Sequence, residues 1–158
     1  MEKSVFKRKI YNEILEWKEN RSDKYALLIK GARRIGKSTI AKEFAEKEFK
    51  SYILIDFAHT SKEIIELFDD MYNLDFFFLQ LQQFTGVRLY ENESVIIFDE
   101  VQECTEALNC LKYFKEKAND YHVIAAGSLL GTLLSQPKSY PVGMVNLLHV
   151  YPLTFDEF

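Results

Sequence analysis

The chain has 158 residues, 47% of them apolar and 28% charged, with six glycines, three prolines and a formal net charge of −4. That size and composition fit a single globular domain with a real core and exclude the disordered, collagen-like and disulfide-scaffold classes. Twenty basic residues against 24 acidic ones exclude a general nucleic-acid coat, although a local basic patch is compatible with them.

The first predicted element is "FKRKIYNEILEWK", with Phe6, Ile10, Ile14 and Trp17 at helical spacing, an amphipathic helix that "NRSD" breaks. "KYALLIK" is a short apolar run ended by Gly31 and reads as a buried strand. From Lys37, "KSTIAKEFAEKEF" carries helix formers and a stripe at Ile40, Ala41, Phe44, Ala45 and Glu48–Phe49. "SYILIDF" is the second strand, "SKEIIELFDDMY" and "LDFFFLQLQQF" are expected helices, and "SVIIFDE" is the third strand. "EALNCLKYFKEKA" is expected to be a helix with Leu108, Leu111 and Phe114 inward, followed by the strands "YHVIAAGS" and "VNLLHVYPL". Strands that alternate with helices and are apolar throughout, rather than at every second position, argue for a parallel sheet buried on both faces. The expected fold is α/β, a three-layer α/β/α sandwich around about five parallel strands.

Between the first strand and the second helix stands "GARRIGKST", Gly31 to Thr39, which matches G-x-x-x-x-G-K-[ST] in the strand–loop–helix context that this motif requires. The bland reading is a glycine turn ahead of a helix. The functional one is a phosphate cradle. Gly31 and Gly36 let the backbone turn tightly, so that the N–H groups of Gly31, Ala32, Arg33, Arg34, Ile35, Gly36, Lys37, Ser38 and Thr39 are available around an anion. The positive end of the following helix dipole adds to the attraction. Lys37 then reaches the terminal phosphates and the Ser38 hydroxyl ligates Mg²⁺. A triphosphate also explains why Arg33, Arg34 and Lys37 are crowded together despite their repulsion. Whether Arg33 and Arg34 touch phosphate or only solvate the loop stays open.

"VIIFDE" places Asp99 and Glu100 where a buried strand reaches its C-terminal edge, the edge at which open α/β sheets bind ligands. Acidic residues also end strands merely because the surface begins there. With a phosphate loop upstream and another strand between, Asp99 is suited to hold Mg²⁺ through water and Glu100 to orient and polarise an attacking water. Ser128, at the end of "HVIAAGS", is a candidate contact to the terminal phosphate or the water, and equally a helix N-cap before "LLGTLL". The expected ligands are ATP or ADP with Mg²⁺. ATP is favoured over GTP because no N/T-K-x-D signature occurs.

All five arginines, Arg8, Arg21, Arg33, Arg34 and Arg88, precede the acidic pair, so a transition-state arginine must be one of these or come from elsewhere. His59, His122 and His149 are scattered and read as structural or surface residues. The run Phe76–Phe78 reads as core, with a partner-binding surface as the lesser alternative. Cys104 and Cys110, six apart on an expected helix and without a CxxC pair, read as buried reduced thiols. The charged opening and the lack of any run of about 18 apolar residues point to a cytoplasmic protein with no membrane span. At the end, "YPLTFDEF" holds a capping box, Thr154 with Glu157, and the sequence stops at Phe158. A helix begun in this way leads us to expect that the chain is cut short of a further domain.

Together "GARRIGKST", "IIFDEVQE", "HVIAAGSLLG" and "SYPVG…LLHVYPLTFDEF" resemble a family of bacterial and archaeal AAA-type ATPases. Its members join an N-terminal P-loop domain to a C-terminal domain of unknown function. "KRKIYNEILEWK" is similar to that family's opening helix, so the resemblance covers nearly all of residues 1–158. It implies an ATP-binding domain of the additional-strand class with strand order 5-1-4-3-2. It also implies that Lys37 and Ser38 serve phosphate and Mg²⁺, Asp99 serves Mg²⁺, Glu100 activates water and Ser128 holds the sensor position. Met144 stands after "PVG" where the family commonly has a basic residue, and the family's C-terminal domain is missing. That missing domain, a homo-oligomer and a protein partner are all compatible with the resemblance. DNA as a partner has no support in any basic stripe.

Overall fold

The computed structural model describes residues 2–20, 26–30, 37–69, 73–104, 106–107, 121–127 and 145–149, without the side chains of 2–9, 30, 37–38, 102 and 145–149. In chain order the elements are α1 (Glu2–Asn20), β1 (Ala26–Lys30), α2 (Lys37–Glu48), β2 (Ser51–Asp56), α3 (Lys62–Leu67), α4 (Leu74–Thr85), β3 (Ser94–Asp99), a 3₁₀ turn (Val101–Glu103), β4 (His122–Gly127) and β5 (Val145–His149). The five strands form one sheet in the order β2-β3-β4-β1-β5, which from the other edge is 5-1-4-3-2. Every neighbouring pair is parallel, and β4 lies between β1 and β3. All five strands therefore end at one common edge. Parallel neighbours need long crossovers, which is why each strand is separated from its partner by helix-length segments.

Successive residues of a strand point to opposite faces, and here each face has its own core. Ala26, Leu28, Ile53, Ile55, Ile96, Phe98, Val123 and Ala125 belong to one cluster, covered by Leu74, Phe77, Phe78 and Leu81 of α4 and by Phe68. Leu27, Ile29, Val95, Ile97, Ile124 and Ala126 belong to the other, covered by Ile10, Ile14 and Trp17 of α1 and by Ile40, Ala41, Phe44 and Ala45 of α2. These two clusters are the physical content of the three layers. β3 is buried along its whole length, as its unbroken apolar run requires.

On the α4 face, Phe57, Phe68, Phe77 and Phe98 form a chain of edge-to-face pairs with centroids 5.1–5.6 Å apart. Each such pair adds about 0.5–1.5 kcal/mol beyond its buried area. α3 is shorter than the periodicity predicts, ending at Leu67 instead of running on through Tyr72. Phe68 N–H turns back to the Ile65 carbonyl at 3.1 Å, and its ring enters the aromatic chain. Burial of that ring outweighs continuation of an exposed helix. α4 starts at Asn73, whose side chain accepts from Phe76 N–H, and stops at Gly86, which takes the left-handed backbone (φ 72°) that favours glycine.

Two further expectations need correction. Phe77 and Phe78 are core, but Phe76 is more than half exposed, together with Leu79 and Phe84 on the outer side of α4. Three consecutive residues of a helix span 200° and cannot all face inward. Cys104 is not helical: it follows the 3₁₀ turn in extended backbone (φ −136°, ψ 92°), buried and unbridged. Burial pushes its thiol pKa up, which keeps the sulfur protonated. Cys110, the inward residues Leu108, Leu111 and Phe114, and the cap at Thr154 lie outside the described residues.

Candidate functional site

The common C-terminal edge of the sheet is where the predicted site falls. β1 ends there at Lys30, in register with Gly127 of β4 and His149 of β5. α2 begins at Lys37, so Lys37, Ser38 and Thr39 are its first three residues. Their amides are among those that an α-helix leaves without an internal acceptor. Gly31, Ala32, Arg33, Arg34, Ile35, Gly36 and Ser128 lie outside the described residues, as do the side chains of Lys37 and Ser38. What the structure does bring together is the end of β1, the start of α2 and, one strand beyond β4, the end of β3.

That end carries the acidic pair. Asp99 is the last residue of β3 and only 9% exposed. Its Oδ1 accepts from the backbone N–H of Glu100 at 3.0 Å. Its own carbonyl accepts from Phe57 N–H at 3.0 Å, which ties it to β2. Glu100 takes left-handed backbone (φ 51°, ψ 47°), unusual for a residue with a side chain. The chain therefore turns sharply out of β3 at this residue and enters the 3₁₀ turn, where Glu103 N–H bonds back to the Glu100 carbonyl at 3.0 Å. Strained backbone of this kind persists where the surroundings hold it, often at functional positions. Val101, fully buried, anchors the far side of the turn. The result is a half-buried Glu100 beside a nearly buried Asp99 at the C-terminal edge of the sheet.

The sequence reading passed over a second feature of this edge. Asp56, the last residue of β2, is the register partner of Asp99. Its carboxylate accepts from Ala58 N–H at 3.0 Å and meets Nδ1 of His59 at 2.9 Å. A usable signal was present, since "ILIDF" ends an apolar run with an acid just as "IIFDE" does. The pairing across strands was not, because register belongs to the sheet and not to either segment. His59 is thus an exposed residue at the site edge, whereas His122 sits at the opposite end of β4. There His122 Nε2 lies 3.1 Å from the Asn92 carbonyl, with its ring among Trp17 and Phe49.

Arg88 also lies at that opposite end. Its carbonyl accepts from the hydroxyl of Ser51, the first residue of β2, at 2.5 Å, and its guanidinium is 5.3 Å from the Tyr90 ring centre. It is a strand's length from Asp99 and Glu100. Among the described residues no group of three or more His, Cys, Asp and Glu is placed to hold a metal by itself.

The AAA domain family matches residues 23–158. The chain belongs to this family. Helix α1 precedes the matched region, yet it supplies three of the large buried side chains under α2. This AAA domain is similar in fold to the Orc1 protein of Aeropyrum pernix, whose structure was solved in complex with DNA. The TM-score is 0.60 at 12% identity, and the likeness covers 98% of this chain and 46% of that one. The chain therefore spans less than half of that protein's length, and the likeness is one of fold. No curated protein matches the sequence. Among the described residues no helix is long and apolar enough to cross a membrane.

Proposed function

We propose that this AAA domain binds ATP together with Mg²⁺ and hydrolyses it, and that the bound nucleotide switches its conformation. The observation that carries the proposal is the placement of Asp99 and Glu100 at the sheet edge where β1 ends and α2 begins, with β4 interposed. In this reading Gly31–Thr39 wrap the phosphates with main-chain amides, and Lys37 neutralises terminal phosphate charge. The Ser38 hydroxyl would be an oxygen donor to Mg²⁺ and the Asp99 carboxylate would hold it through water, and the bound cation would offset charge on the phosphate oxygens. Glu100 orients and polarises the water that attacks the terminal phosphorus. Ser128, one residue beyond the end of β4, donates to that phosphate as a sensor. Residues 1–158 act as the ATP-binding part of a longer, cytoplasmic protein, whose C-terminal domain or protein partner receives the switch.

The decisive experiment is calorimetric titration with ATP and Mg²⁺, paired with measurement of phosphate release, for the wild type and a Glu100→Gln variant. Binding retained with release lost supports the assignment. Unchanged release removes Glu100 from the mechanism, and absence of binding removes the site.

One observation favours a second reading, a nucleotide-binding regulatory module with little turnover. Arg88, the one arginine that follows the phosphate loop in sequence, sits at the far end of the sheet and cannot reach the developing charge within its own chain. An arginine of this kind is worth about 10³-fold or more in phosphoryl transfer. ATP binding without phosphate release, unaltered by self-association or added partners, would decide for this module.

A further inference from the structure

We draw no further inference here: the strongest candidate, the outer face of α4 where Phe76, Leu79 and Phe84 are exposed, carries nothing because nothing in the structure shows what covers it.

Discussion

The amide N–H of Glu100 donates to Oδ1 of Asp99 at 3.0 Å, so the Asp99 carboxylate is held against the first main-chain amide beyond β3. The left-handed backbone of Glu100 then carries the chain off the strand axis, while Asp99 stays 9% exposed against the sheet. Two adjacent carboxylates thereby occupy different environments.

Glu100→Gln keeps the size and hydrogen-bonding reach of the side chain and removes its basicity. ATP affinity should change by less than about threefold, while single-turnover phosphate release falls by about 10²-fold or more. Release at the wild-type rate would show that another group polarises the water.

Lys37→Ala removes the ammonium group at the first position of α2. Charge-assisted hydrogen bonds contribute about 1.5–3 kcal/mol, so ATP affinity should fall roughly 10- to 100-fold. Calorimetry checks this, with circular dichroism to confirm that α2 remains helical. ATP binding equal to the wild type would place the phosphates elsewhere.

Tyr11 of α1 donates its hydroxyl to the Glu48 carboxylate at the end of α2, and its ring packs edge-on against Phe44 at 5.0 Å. Burial, with the bond to Glu48 adding to it, pushes the Tyr11 hydroxyl up to about 12. The ordinary value is about 10. Between those values the unfolded chain releases a proton that the folded chain keeps, so this contribution is complete below pH 10 and declines as pH rises toward 12. Tyr11→Phe should cost about 1 kcal/mol at neutral pH, and less as the pH climbs through that window. Urea denaturation at a series of pH values tests it, and a constant difference would sink the claim.

Phe77→Ala and Phe76→Ala separate the two faces of α4. Phe77 is 1% exposed and Phe76 55% exposed. Truncating the first should cost about 3–5 kcal/mol, from the lost burial together with the cavity it leaves in the aromatic chain. Truncating the second should cost within about 0.5 kcal/mol. Chemical denaturation of both variants checks the pair, and similar losses would mean that Phe76 packs against something in solution.

Much of this fold was legible because its strands are short apolar runs and its helices carry apolar stripes. Ile10, Ile14 and Trp17, and Ile40, Phe44 and Ala45, are buried as their spacing predicts. α3 was overextended because the sequence does not say that Phe68 gains more by joining Phe57, Phe77 and Phe98 than by prolonging a helix. Of the site, Asp99 and Glu100 could be located at a strand end from "VIIFDE" alone. The Asp56–His59 pair beside them could not, since nothing local specifies that β2 lies against β3 in the register Asp56 with Asp99.

Composition, periodicity and the motif at Gly31–Thr39 determined the class of fold, the chemistry to look for and the acids to weigh. Those are local properties: backbone freedom at glycine, charge along a few residues, and the repeat of apolar side chains. Which ends of which strands meet, that Glu100 turns out of β3 on left-handed backbone, and that Arg88 lies at the far end of the sheet were decided by tertiary structure. Each depends on pairing between segments distant in the chain. That pairing is set by the simultaneous burial of both faces of one sheet.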